Sequence, residues 1–459
     1  MIKVLLLLAF GLLHCSSALV EPQESLRLLG ENLTSIHFIG DLHGDVHCAK
    51  YWVGRTGLVN LTSPSSLEWI GSENDALVFL GDYVDKGSTS SSVLSFIKSL
   101  QESFPSNVVS ILGNHDFFQV LDTGFYFDQD VPHPLTHPFY EYSYSFVHPE
   151  EYLQSGFLTP QPDDDELLNA TLSALQSIYY NNLQSTVNMC APKASCKPSQ
   201  LDMFTVTPPF DKDTELAERA RDRIEQWRRE YAQGLLDSGL LGWMARQPLV
   251  AVVGDALVVH GGVSKQVISF VDQVAEQHGV STSSALHLLT NVPFSQFWET
   301  HIPHMVKANS VKERIEQGYV LEISLDMVQH RGYFKQNGCQ EVEDVIGKIE
   351  GVERIVVGHT PRSFAEELCH GELVASDSTL SRTFRAYGNY YCPIDEGARQ
   401  KIGDNQPFSR CEIRVKDTCE GSISSISRDS PSDAWPRNVK LLKADLNEIK
   451  MADSSHDEL

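Results

Sequence analysis

The sequence predicts an α/β protein, and two observations carry that prediction. Short apolar runs rich in Val and Ile recur along the chain, each leading into a glycine-containing cluster of residues that bind metals well, and segments with three- or four-residue apolar spacing lie between them. Runs of this length bounded by glycine read as buried strands. The first, Ile36 to Ile39, enters GDLHGD at 40–45, and the second, Ala76 to Leu80, enters GDYVDKG at 81–87. Val108 to Leu112 leads to GNHD at 113–116, Ala256 to Val259 to His260-Gly261-Gly262, and Ile355 to Val357 to Gly358-His359-Thr360. Five polar clusters therefore sit at five strand ends, the edge of an open α/β sheet where residues distant in sequence meet in one crevice.

The elements between follow from spacing and punctuation. Ser88 to Ser92 starts a helix whose stripe is Val93, Leu94, Phe96, Ile97 and Leu100, ending near Pro105. A longer helix starts near Asp213, with Leu216, Ala220, Ile224, Trp227, Tyr231 and Leu235 on one core-facing side. Leu249 to Val253, Gly254-Asp255 and Ala256 to His260 spell a hairpin with a two-residue turn. Residues 118–212 look inserted. Their His133, His137 and His148 each neighbour a proline and are assigned to loops, and Tyr140, Tyr142, Tyr144 and Phe146 alternate as on one face of a strand. The acidic Asp163 to Glu166 reads as a solvated surface. Residues 396–459 are polar, with an edge strand expected at Cys411 to Lys416 before a flexible tail.

Composition narrows the function classes. The 459 residues include 36 Lys and Arg against 61 Asp and Glu, a net charge of −25, with 41% hydrophobic, 21% charged and 9% aromatic residues. That is apolar enough for a packed core. It lacks the basic excess that releases counterions from a phosphate backbone, so nucleic acid is not an expected partner.

The ends look like an address. Lys3, the apolar Val4 to Leu13 and the small Ser16-Ser17-Ala18 form a secretory leader over 1–18, shorter in its apolar run than the roughly 20 residues that cross a bilayer. His456-Asp457-Glu458-Leu459 is an HDEL tail of the kind read by the retrieval receptor of the endoplasmic reticulum. No later segment is expected to span a membrane, so the sequence reads as a protein of the endoplasmic reticulum lumen. Eight cysteines remain after the leader, Cys48, Cys190, Cys196, Cys339, Cys369, Cys392, Cys411 and Cys419, which suits disulfides in an oxidising lumen. Cys190/Cys196 and Cys411/Cys419 are the close pairs available for local bridges, Cys48 reads equally as a buried thiol, and pairing does not follow from sequence. Sequons at Asn32, Asn60 and Asn169 would mark glycosylated surface.

The chemistry lies in the clusters together. Asp41, His43, Asp82, Asn114, His260 and His359 are oxygen and nitrogen donors with no thiolate, a set suited to two divalent ions such as Mn, Fe or Zn. Two such ions, one bridging carboxylate and a shared hydroxide would make a nucleophile at neutral pH, because metal binding lowers the pKa of water from about 15.7 towards about 7. Two divalent ions, less two aspartates and one hydroxide, leave a local single positive charge that attracts phosphate despite the acidic whole.

GDLHGD, GDYVDKG, GNHD, VVHGGV and GHT resemble the signature blocks of the metallo-dependent phosphoprotein phosphatases. Ser376 to Arg382, followed by Ala386-Tyr387-Gly388, is most similar to the Shewanella-like branch, and the similarity spreads over about 36–390. The resemblance implies a calcineurin-like β-sandwich flanked by helices, in a catalytic domain over 19–395 with the insertion at about 118–212 and a C-terminal extension at 396–459. It implies that Asp41 and His43 bind the first ion, that Asp82 bridges, and that Asn114, His260 and His359 bind the second. His115 matches the family's general acid and Asp85 the carboxylate that orients it. An imidazolium so oriented can protonate the leaving oxygen, and direct attack of the metal-bridging hydroxide needs no covalent enzyme intermediate. The family block usually ends in Arg-Gly, whereas Lys86 stands here. Lysine keeps the charge but loses the planar fork that clamps phosphate, so Arg331 is the first candidate for that clamp beside Lys86, with Arg362 and Arg382 behind it.

The implied function is a phosphomonoesterase acting on phosphorylated proteins or peptides of the secretory pathway, at Ser/Thr or Tyr, with Tyr put first because the Shewanella-like branch includes enzymes that favour it. Hydrolysis of a small phosphoester or dinucleoside polyphosphate is a second enzymatic reading, and a phosphopeptide-binding pseudophosphatase is the nonenzymatic one.

Overall fold

A computed structural model describes residues 26–29, 32–61, 67–127, 146–159, 164–189, 214–291, 320–383 and 418–444. The strands are β1 Ser35–Ile39, β2 Val59–Asn60, β3 Glu68–Trp69, β4 Asp75–Phe79, β5 Val108–Ser110, β6 Val250–Val253, β7 Ala256–Val259, β8 Arg354–Val357, β9 Glu366–Leu368, β10 Leu373–Ala375, β11 Ser422–Ser427 and β12 Lys440–Lys443. The helices are α1 Val46–Thr56, α2 Ser90–Ser103, α3 Asn114–Phe127, α4 Pro149–Gln154, α5 Asp165–Met189, α6 Glu215–Asp237, α7 Leu240–Met244, α8 Lys265–His278, α9 Thr282–Thr290, α10 Val320–Gln329 and α11 Gly338–Ile346.

The five apolar runs form β1, β4, β5, β7 and β8, and they divide between two sheets. One has the order β12-β11-β1-β4-β5 and the other β6-β7-β8-β10-β9. The pairs β1–β4, β4–β5, β7–β8 and β8–β10 are parallel. Alternation along the strands explains why two sheets stack. Ile36, Phe38, Ala76, Val78 and Val109 from the first sheet share one buried cluster with Ala251, Val253, Ala256, Val258, Val356 and Val374 from the second.

The alternate residues of the same strands face helices. Ile39, Leu77 and Phe79 lie with Trp52 of α1 and Leu94 and Ile97 of α2, while Leu257, Val259, Ile355 and Val357 lie with Val267 and Val271 of α8 and Val342 of α11. Burial on both faces is why these strands read as continuous apolar runs. The chain is thus an α/β sandwich flanked by helices, and the parallel strands end on the edge that carries the polar clusters.

The helices predicted at 88–105 and from 213 are α2 and α6, the latter capped by the Thr214 hydroxyl, which accepts from the Ala217 amide. The hairpin is β6–β7, with Gly254 at φ +62. Several expectations need correction or fall outside. Cys419 bonds to Cys48 and Cys339 to Cys369, so neither the local Cys411–Cys419 bridge nor a free Cys48 thiol holds; topology, not spacing, brings Cys419 onto α1. The strand expected at 411–416 lies outside the described residues. The described C-terminal strands are β11, which pairs with β1 and β12, and β12, which forms the edge of that sheet. The leader, the HDEL tail, Cys190, Cys196, Cys392, Cys411, His133, His137 and Tyr140 to Tyr144 also lie outside. His148 caps α4 by accepting from the Glu150 amide. Among the described residues no helix is long and apolar enough to cross a membrane.

Candidate metal centre

Each functional side chain leaves the end of a parallel strand through a tight turn. Asp41 and His43 follow β1, Asp82 follows β4, Asn114 and His115 open α3 after β5, His260 follows β7 and His359 follows β8. The turns are crowded. A Cβ on Gly81, itself at φ +93, would stand 2.2 Å from the Gly113 amide nitrogen, and one on Gly358 would stand 2.5 Å from Asp41 Oδ1. His43, Asp82, Asp85, Lys86 and His359 all take positive φ, between 38° and 69°. Such non-glycine conformations cost roughly 1–3 kcal/mol each and persist where surrounding contacts over-determine them. Asp116 supplies several of those contacts: its carboxylate accepts from the amides of Asp82 (2.7 Å), Tyr83 (2.9 Å), Val84 (3.3 Å) and Gly113 (3.0 Å). Burial, then the Asp82 charge, pushes Asp116 up to about 7.

All six proposed ligands are buried. Asp82 lies between two groups whose donor atoms approach within 4.8 Å of one another, His43/Asp82/His115 and Asp82/His260/His359. In the second, His260 Nδ1 donates to the Leu80 carbonyl at 2.6 Å, which leaves the Nε2 lone pair of the neutral ring facing inward. It faces Asn114 Oδ1 at 3.2 Å and Asp82 Oδ1 at 3.3 Å, and His359 Nδ1 lies 2.8 Å from the same Asn114 oxygen. Oxygen and imidazole lone pairs converging in a buried pit are reconciled by a cation, and this donor set fits a divalent ion of the Mn, Fe or Zn kind.

The first half is built differently. His43 Nδ1 donates to the Val84 carbonyl at 3.1 Å, again presenting Nε2, with Asp82 Oδ2 at 3.4 Å and Asp41 Oδ2 at 4.0 Å. Here the nearest partner of Nε2 is Lys86 Nζ at 2.7 Å. Lys86 is buried, and that burial lowers it although Asp82, Asp41, Asp377 and Asp85 pull the other way. The side chain expected to face substrate phosphate is therefore turned inward.

Electrostatics separate the carboxylates. Burial, then the neighbouring Asp377 and Asp82 charges, holds Asp41 well above the usual range. Burial acts the same way on Asp82 but is outweighed by His260, His115 and His43, which hold it well below. His260 is raised despite burial because Asp82 faces it, whereas burial and then Arg331 lower His359. Asp377, just past β10, is buried and raised by that burial. It belongs to this pit but was not among the expected site residues, since a strand of three residues leaves little periodic signal.

Around the pit, His115 Nδ1 lies 2.7 Å from Asp85 Oδ2, and the His115 amide donates to Asp82 Oδ1 at 2.9 Å. His115 and His43 meet edge to face with centroids 5.0 Å apart. Arg331 Nη1 donates to Thr360 Oγ1 at 3.3 Å, beside His359. The other two arginines are engaged elsewhere. Arg362 lies over the Phe334 ring at 4.6 Å and 3.5 Å from Glu366, and Arg382 is paired with Asp45 at 2.9 Å.

Two stacked sheets thus carry a buried cluster of oxygen and imidazole donors at their parallel strand ends. Residues 34–182 match the model of the calcineurin-like phosphoesterase family. The catalytic subunit of serine/threonine-protein phosphatase 4 from Kluyveromyces lactis is 29% identical over 98 residues, which are 21% of this chain and 28% of that protein's length. Among solved structures, the cold-active protein-tyrosine phosphatase of a psychrophilic Shewanella species aligns at 14% identity and a TM-score of 0.40, covering 94% of this chain and 88% of that one. A protein serine/threonine phosphatase from Saccharomyces cerevisiae aligns at 12% identity and a TM-score of 0.38, covering 92% and 84%.

Proposed function

We propose that this protein is a metal-dependent phosphomonoesterase that acts on phosphorylated proteins or peptides in the lumen of the endoplasmic reticulum. The observation that carries the reading is the convergence of Asp82, Asn114, His260 and His359 beside the His115–Asp85 pair. Those four residues would hold a divalent ion, with Asp41 and His43 the ligands proposed for a second. A bound ion would supply Lewis acidity, drawing phosphate charge towards it and lowering the pKa of water towards about 7.

The chain's own groups supply the rest. Arg331, anchored on Thr360 next to His359, binds and orients the phosphate oxygens. Asp85 holds the Nδ1 side of His115, so Nε2 is the atom that delivers a proton to the leaving oxygen. Tyr, favoured by the Ser376 to Arg382 resemblance, is the substrate residue proposed ahead of Ser and Thr. The leader and HDEL tail support the lumenal assignment.

Turnover of an aryl phosphate by the metal-loaded chain tests the reading, and Asp82→Asn should lower it by about a hundred- to a thousandfold, the scale of losing a principal charge-stabilising group. Equal turnover by both proteins would refute it. Because a phenol leaves more readily than an aliphatic alcohol, His115→Asn should cost phosphoserine peptides up to about 10⁴-fold and matched phosphotyrosine peptides clearly less. Equal losses would remove His115 from the acid role.

A further inference from the structure

The loop that carries Asp41 and His43 turns through inverted backbone, with His43 at φ +38 and Gly44 at φ +63. On one side it leans on the GDYVDKG block. The Leu42 and His43 amides donate to the Asp82 carbonyl at 3.1 and 2.9 Å, and the Gly44 amide donates to the Tyr83 carbonyl at 2.8 Å. The opposite side is held from a distant part of the chain. The Ser381 hydroxyl donates to the His43 carbonyl at 3.2 Å. A Cβ on Gly40 would stand 2.2 Å from the Ser376 carbonyl oxygen, so the segment after β10 lies directly against the end of β1.

Arg382 completes that side. Its backbone amide and Nε donate to Asp45 Oδ2 and its Nη2 to Asp45 Oδ1, each at 2.9 Å, a paired geometry that a guanidinium fork supplies and an ammonium does not. Asp45 is buried, and its other contacts set the loop. Its amide donates to the Leu42 carbonyl at 3.2 Å, and Oδ1 accepts from the Cys48 amide at 3.2 Å to cap α1. A fork closed on a buried carboxylate is committed there, so the expectation that Arg382 stands behind Arg331 as a phosphate clamp gives way to a different role.

We propose that Arg382 is a positioning residue for metal: by clamping Asp45 it fixes the turn from Asp41 to His43 against Asp82. The proposal rests on the metal-dependent reading above and deepens it. Without the guanidinium, a buried carboxylate two residues past His43 loses its charged partner, and such a group rearranges or draws in water. Rearrangement there reopens the Leu42–Asp45 turn between the two proposed ligands. Partners that stand behind metal ligands typically govern affinity by about ten- to a hundredfold.

The test measures metal first and phosphate second. The full chain, stripped with a chelator, is titrated with Mn(II) while free Mn(II) is followed by its electron paramagnetic resonance signal. His43→Ala identifies the binding step that belongs to this half, and Arg382→Ala should weaken that same step by about ten- to a hundredfold. Arg382→Lys, which keeps a charge without the fork, should fall between. Asp45→Asn should match Arg382→Ala, and the double variant should be no weaker than either. At saturating Mn(II), inhibition by inorganic phosphate should be unchanged in Arg382→Ala and clearly weakened in Arg331→Ala. A wild-type isotherm in folded Arg382→Ala, even with a lowered denaturant midpoint, would mean a tie that serves stability alone and overturns the proposal. Lost phosphate inhibition in that variant would return Arg382 to the clamp and overturn it too, as would a His43→Ala isotherm equal to the wild type's. Should Arg382→Ala fail to fold, Asp45→Asn decides by the same isotherm. A wild type that binds no Mn(II) overturns the metal-dependent reading itself, a distinguishable result.

Discussion

The two halves of the site draw on different parts of the molecule. His260 and His359 follow β7 and β8 of the second sheet, each strand buried on both faces. Asp41, His43 and Lys86 belong to loops of the first sheet that are braced by additional groups: Asp45 is tied to Arg382, and Phe146 and Tyr179 hold the backbone of Lys86. Both halves leave strand ends through tight turns, His359 included, but the first adds a scaffold of side-chain and backbone braces. The braces around the first half are therefore expected to matter more to it than peripheral contacts do to the second.

The largest effect that can break this comparison is expected from ligand removal on each side. His260→Ala should lower turnover of an aryl phosphate by about a thousandfold, and His43→Ala by about ten- to a hundredfold, because Asp41 and Asp82 remain beside the ion in that half. Equal losses would erase the distinction. Arg331→Ala should act on phosphate contact, raising KM by about tenfold with a smaller change in kcat, the signature of lost uniform binding. A change confined to kcat would assign the clamp elsewhere.

A stability measurement sharpens the same comparison. Glu151 of α4 is buried, accepts from the Ser91 amide at 2.9 Å and from the Tyr231 hydroxyl at 3.2 Å, and so braces α2. The α2 residue Ser90 in turn accepts from the Asp85 amide at 3.0 Å. Burial raises Glu151 from an ordinary 4.5 to about 7. Between those values the folded state binds more protons than the unfolded one, so this group's contribution falls as pH rises from about 5 to 7 and levels off above, a loss of up to about 3 kcal/mol. Glu151→Gln should flatten that slope in denaturant titrations at pH 5 and pH 8. An unchanged slope would show that the carboxyl ionises freely. The smallest effect should come from Tyr179→Phe, which removes one buried hydrogen bond to Lys86 and should cost about 1 kcal/mol by the same titration.

Much of the frame was legible because it rests on short-range rules. Val and Ile runs closed by glycine became β1, β4, β5, β7 and β8, and the apolar stripes of α2 and α6 lie buried as their spacing requires. What escaped notice depends on contacts between distant segments or on backbone inversion. The inward turn of Lys86 follows from positive φ at two non-glycine residues, which no residue type announces. Asp377 follows a strand too short for periodicity, and Asp116, read as part of GNHD, gathers four amides that only the folded turns bring together. The partner of Cys48 lies 371 residues away, beyond the reach of any spacing argument.

That long-range bond has a practical consequence. Any proteolytic nick between residues 48 and 419 leaves two pieces that stay covalently joined, so a clipped sample would migrate as one band until a reductant is added. Only then would the peptide bearing β11 separate from the one bearing α1, and the integrity of a preparation can be judged only by comparing gels run with and without thiol.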